Sequence, residues 1–164
     1  MGVCHRDLRL SNVMLQRGPK CCVKLIDFGI AKVPTDELSQ DQAPLTQAGF
    51  VVGTPKYMAP EQLRDEPVGP HTDLYAVGVL LYRLLSGRTP FSGNNAEVVA
   101  SHLRDPVPPL PAGLNLAPFD GVIKKAMAKT AEARPQSGRA FESLMVDAWV
   151  QVSGLAGVRQ TSPQ

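Results

Sequence analysis

His5 to Gly29 reads HRDLRLSNVMLQRGPKCCVKLIDFG. An aspartate, Asp7, follows His-Arg; Asn12 comes five residues later; a second aspartate, Asp27, opens Asp-Phe-Gly after a short apolar run. Two acids and an amide at this spacing suit metal-assisted phosphoryl transfer. One carboxylate orients an attacking hydroxyl and accepts its proton, while the other carboxylate and the amide oxygen hold Mg²⁺. Val13-Met14-Leu15 and Cys22 to Ile26 read as two short strands, and Arg17-Gly18-Pro19-Lys20 between them is turn chemistry. A hairpin built this way carries Asn12 at one end and Asp27 at the other, so it brings the two candidate metal ligands together. Taken singly, Asn12 is a turn residue and Asp27 a strand-end cap; the combination with Asp7 favours the chemical reading.

The order HRDLxxxN, then Asp-Phe-Gly, then Ala-Pro-Glu at residues 59–61 resembles the protein kinase family, in its bacterial serine/threonine type. The resemblance covers about residues 2–152. It implies Asp7 as catalytic base, Arg9 neutralising phosphate charge, and Asn12 and Asp27 as Mg²⁺ ligands, with ATP as phosphoryl donor. Serine/threonine kinases usually have lysine where Arg9 stands and proline where Leu10 stands; arginine keeps the charge but presents a planar fork instead of a point charge. The same resemblance makes His5 a packing residue beneath Phe28, with Phe28 and Gly29 completing a structural motif.

Downstream, residues 30–52 are polar and lack sustained periodicity, and loops of this length are usually functional or disordered. The resemblance makes this the activation segment. Thr46 is the first candidate phosphosite, Ser39 and Thr35 come after it, and Arg6 is the expected partner of the phosphorylated residue. The stretch GTPKYMAPE, residues 53–61, resembles a serine/threonine substrate loop, with Thr54 positioning substrate. Glu61 is expected to form a buried ion pair with Arg134.

Asp73 to Leu85, DLYAVGVLLYRLL, is apolar on nearly every face and reads as a buried helix. Thr72 or Asp73 can cap it and Gly87 can end it. By resemblance Asp73 binds the backbone of the catalytic loop; a plain helix cap is the competing reading. Residues 95–104 form a short helix. The proline-rich run 105–111 reads as a rigid interhelical loop, with a polyproline ligand as the rival. Leu116 to Met127 carry a helical stripe, and Ser137 precedes a last helix through Trp149.

Composition is that of an ordinary soluble domain, 43% hydrophobic with a formal net charge of +2, which argues against strong attraction to nucleic acid. Cys4, Cys21 and Cys22 match neither a disulfide framework nor a zinc site. The longest apolar run, Leu74 to Tyr82, is too short to span a bilayer. No signal peptide is visible, so the expected location is the cytoplasm.

The expected fold is mainly α: a kinase C-terminal lobe over residues 1–153 with a small β-hairpin carrying the catalytic and metal motifs, then a disordered tail over 154–164. The catalytic loop begins four residues after Met1, so the N-terminal lobe, with its glycine-rich loop and lysine, is expected to be missing from this chain. That lobe, on a missing or separate segment, is the implied partner, together with a protein substrate bearing Ser or Thr. ATP and Mg²⁺ are expected to bind this chain alone weakly or not at all, and the isolated chain to be inactive. A non-catalytic docking module and a gene remnant remain as alternatives.

Overall fold

The computed structural model describes residues 4–18, 22–28, 55–112 and 116–154. Thr35, Ser39, Thr46, Thr54, Gly29 and the tail from residue 155 lie outside these. Among the described residues the architecture is mostly helical with one two-stranded antiparallel sheet. After a 3₁₀ turn over Leu10–Asn12, strands β1 (Val13–Gln16) and β2 (Cys22–Leu25) pair with Val13 opposite Leu25 and Gln16 opposite Cys22. The ladder is extended by the Ile26 N–H, which donates to the Asn12 carbonyl at 3.0 Å.

Helices α1 (Pro60–Leu63), α2 (Pro70–Ser86), α3 (Asn95–Arg104), α4 (Ala117–Ala126) and α5 (Gly138–Ser153) follow. α2 starts three residues before the expected Asp73, because Pro70 occupies its first turn, where the missing N–H costs nothing. Thr72 and Asp73 therefore lie inside the helix; the Thr72 hydroxyl still serves the cap, accepting the Gly69 N–H at 3.1 Å while donating to Glu61, and the Asp73 side chain is turned to another segment. Gly87 closes α2 in the left-handed conformation, φ 77°, with its N–H on the Arg83 carbonyl. α5 runs four residues past the expected Trp149 and is capped by the Ser137 hydroxyl, which accepts from the Ala140 N–H.

α2 is the centre of the core. Tyr75, Val79 and Tyr82 pack with Phe119, Val122, Ile123 and Met127 of the α4 region, and Ala148 of α5 joins them. A Cβ on Gly78 would fall 2.8 Å from Met127 Cγ and 2.9 Å from Ala126 Cβ, so the bare glycine permits this close approach of α2 to α4. The proline-rich run is pinned to the core: Val107 and Leu110 are buried, and the Leu110 N–H donates to Asp120 Oδ1 at 2.8 Å. Such anchoring is that of a rigid interhelical loop.

Candidate active site

The segment from Cys4 to Arg9 has no regular structure of its own, so side chains from distant elements hold it. Asp73, on α2, accepts the His5 N–H at Oδ2 (2.7 Å) and the Arg6 N–H at Oδ1 (2.9 Å). His5 is buried, its Nε2 lies 2.9 Å from the Ile26 carbonyl, and its Nδ1 accepts from the Asp7 N–H at 3.4 Å. That pattern suits the tautomer with the proton on Nε2. The His5 ring also meets Phe28, centroids 4.7 Å apart. One histidine thus ties the loop before Asp7 to the strand end that leads into Asp27.

Asp7 is exposed and its carboxylate is aimed by Asn12. The Asn12 amide donates from Nδ2 to the Asp7 carbonyl at 2.8 Å and to Asp7 Oδ2 at 3.3 Å. Asn12 is itself buried, and its Oδ1 accepts from the Ser11 hydroxyl at 3.1 Å. Ser11 in turn accepts from Arg9 Nε at 2.8 Å, and Arg9 Nε lies 3.9 Å from Asp7 Oδ2. Both members of that ion pair are exposed, so it orients more than it stabilises. Arg6 (φ 67°) and Asp27 (φ 54°) hold left-handed backbone, uncommon for residues other than glycine and frequent where a site imposes geometry.

The hairpin register brings Asn12 and the Ile26–Asp27 junction together beside Asp7. Among the described residues no group of three or more His, Cys, Asp or Glu side chains could hold a metal ion. The oxygen set expected from the sequence is instead one amide, Asn12, and one carboxylate, Asp27. That donor chemistry fits Mg²⁺, which keeps several waters and takes one or two carboxylates plus substrate phosphates.

Behind the site lies a buried ionic knot. Arg134 donates from Nη1 to Glu61 Oε1 (2.7 Å) and from Nη2 to Oε2 (2.8 Å), with both side chains nearly inaccessible. Its remaining hydrogens reach the carbonyls of Ala128 (2.8 Å), His71 (3.1 Å) and Lys129 (3.4 Å). Thr72 donates its hydroxyl to Glu61 Oε1 at 2.8 Å. Burial alone would push the Glu61 carboxyl up; the hydrogen bonds and charge of Arg134 outweigh it and hold the carboxyl below its ordinary range.

Four contributors escaped the sequence reading. Ser11 links Arg9 to Asn12. Thr72 braces Glu61. Gln62 accepts the Ala59 N–H at Oε1 (3.0 Å) and donates from Nε2 to the Arg6 carbonyl (2.8 Å). A glutamine three residues past a helix start is half of a capping box, and that was the available signal. His102 is wholly buried, with Tyr75 Oη 2.9 Å from Nδ1 and the Lys56 carbonyl 3.2 Å from Nε2. It links α3 to the segment before α1, and burial, with the charge of Lys129, pushes its pKa down to about 4.

The protein kinase domain family matches residues 1–140. The chain is 43% identical over 150 residues to the serine/threonine-protein kinase pkn3 of Myxococcus xanthus, covering 87% of this chain and 27% of that protein. It is 45% identical over 151 residues to Pkn1 of the same organism, covering 88% and 21%. Identity to PknB of Mycolicibacterium smegmatis is 39% over 139 residues, covering 83% and 21%. The chain thus spans about a quarter of the length of these relatives.

Proposed function

Because this chain belongs to the protein kinase family, we propose that residues 1–153 are the catalytic lobe of a serine/threonine kinase that transfers the ATP γ-phosphoryl group to protein hydroxyls. The observation that carries the reading is the arrangement around Asn12, whose amide aims the Asp7 carboxylate while its backbone carbonyl accepts the N–H of Ile26, the residue before Asp27. In this mechanism Asp7 orients the substrate hydroxyl and accepts its proton. The hydroxyl oxygen bonds to the γ-phosphorus, the bond to the β–γ bridging oxygen breaks, and ADP leaves. Arg9 neutralises charge on the transferring group. Asn12 Oδ1 and Asp27 would hold Mg²⁺, which when bound supplies charge neutralisation at the phosphate oxygens. Thr54 positions substrate, and a phosphate on Thr46, Ser39 or Thr35 pairs with Arg6.

The nucleotide needs a second wall, and we assign that wall to segments outside residues 1–164. The support is an apolar hairpin face that the described residues leave exposed. Val13, Leu15, Val23 and Leu25 share one side of the hairpin by register, and Leu15 and Val23 are 65% and 59% exposed. A lobe seated there would cover them and close the ATP site. No helix among the described residues is long and apolar enough to cross a membrane, and the proposed setting is the cytoplasm. The test is incubation of the protein at its full natural length with γ-labelled ATP, Mg²⁺ and a protein mixture, followed by phosphoamino-acid analysis. Label on serine and threonine is expected. No transfer, with ATP-independent capture of a partner by the same lobe, would favour the docking-module alternative.

A further inference from the structure

We infer that Gln62 is a positioning residue for Asp7: its side-chain amide clamps the Arg6 peptide to the substrate loop, so that loop and the catalytic carboxylate move as one body. This inference rests on the phosphotransfer reading above. Arg6 is the residue immediately before Asp7, and its backbone is left-handed at φ 67°. For a residue with a long side chain that conformation persists only where the surroundings hold it. Its N–H is held from one side by Asp73 Oδ1 at 2.9 Å. Its carbonyl is held from the other by Gln62 Nε2 at 2.8 Å, across 56 positions of sequence. Releasing that carbonyl frees the peptide to turn, and the direction of the Asp7 side chain turns with it.

The other end of the same amide explains the coupling. Gln62 Oε1 accepts the Ala59 N–H at 3.0 Å, and Ala59 is fully buried at the start of α1. Glu61, the neighbour of Gln62, is locked to Arg134. Gln62 therefore projects from a fixed point, and its amide spans the gap between the substrate loop and the catalytic loop. A donor is required toward Arg6 and an acceptor toward Ala59; a primary amide supplies both, whereas a carboxylate or an ammonium supplies one.

That asymmetry gives the experiment. Gln62→Glu keeps the acceptor for Ala59 and sets an oxygen against the Arg6 carbonyl. Gln62→Lys keeps a donor for Arg6 and drops the acceptor. Both are made in the protein at its full natural length and read by kcat and KM for ATP and peptide, by melting temperature, and by the ¹³C shift of the Arg6 carbonyl. The expected result is a kcat reduced about tenfold or more in Gln62→Glu, with ATP KM within about twofold and the Arg6 carbonyl shift moved, because misplaced catalytic groups lower turnover. Gln62→Lys is expected to recover most of the kcat. The reverse ranking, with Gln62→Lys the poorer enzyme, would mean that the side chain only caps α1 and would overturn the inference. If the unsubstituted protein transfers no phosphate, the functional reading fails, and the carbonyl shift judges the clamp alone. A shift moved in Gln62→Glu and kept in Gln62→Lys supports it, and a shift unmoved in both refutes it.

Discussion

Replacing Arg134 with alanine is the substitution with the largest effect that can be worked out from the structure. The guanidinium has five N–H donors, and they reach Glu61 twice and the carbonyls of Ala128, His71 and Lys129. The group also lies 4.9 Å from the Tyr75 ring centroid. Alanine removes all of this at once and leaves the Glu61 carboxylate buried with the Thr72 hydroxyl and its own backbone N–H as donors and His71 3.7 Å away. Stranding one member of a buried pair destabilises by ~3–5 kcal/mol, a large share of the ~5–15 kcal/mol that holds a domain together. Urea denaturation of the 164-residue chain, followed by Trp149 fluorescence and far-ultraviolet circular dichroism, is the assay. Arg139→Ala, exposed on α5, is the control and should stay within ~0.5 kcal/mol.

The deficit of Arg134→Ala should also depend on pH. In the unsubstituted protein Glu61 has a lowered folded-state pKa, so its contribution is present above the unfolded value and is lost as pH falls through the folded one. Without Arg134, burial is left as the dominant influence, the carboxyl is pushed up instead, and acid neutralises it. The gap between the two proteins should therefore narrow on acidification. An Arg134→Ala deficit no larger than that of Arg139→Ala, or one equal at neutral and acid pH, would refute the reasoning.

Two further outcomes are expected. His102 is buried with its pKa near 4 against an ordinary 6.5, so the folded state binds fewer protons in that window. Its stability contribution is full above about pH 6.5 and is lost as pH falls toward 4, on the order of 3 kcal/mol in all; denaturation midpoints across that range should slope, and His102→Gln should flatten the slope. Leu15→Lys with Val23→Lys, on the exposed hairpin face, should leave the melting temperature of the 164-residue chain nearly unchanged, yet abolish phosphotransfer in the full-length protein. Retained activity in that double variant would remove the case for a lobe seated on the hairpin.

What was legible in the sequence was local pattern. The hairpin could be read from two short β-prone runs around Gly18-Pro19, and with it came the approach of Asn12 to Ile26, the residue before Asp27. The helices from α3 to α5 followed from apolar stripes and caps. The start of α2 was misjudged because Asp73 looks like a cap, whereas Gly69-Pro70 supplies the stronger signal and frees Asp73 to hold the catalytic loop. Glu61 and Arg134 are 73 positions apart; no periodicity joins them, and only the family resemblance suggested the pair. The long-range contacts of His102 and Gln62 were out of reach for a different reason. Their partners, Tyr75 and the Arg6 carbonyl, become neighbours only after helices pack, so each looked like a solvated polar residue on a helix.

Asp7 carries the proposed phosphotransfer most directly. Steady-state phosphorylation of a serine/threonine peptide by the full-length protein, at saturating ATP and Mg²⁺, should fall ~10²–10⁴-fold in Asp7→Asn, the range expected when a general base is lost. The ATP KM and the melting temperature should hardly move, because the side chain is exposed and the amide preserves its shape. A variant with kcat within about twofold of the unsubstituted enzyme would contradict the assignment of Asp7, and with it the reading of this lobe as a phosphotransfer site.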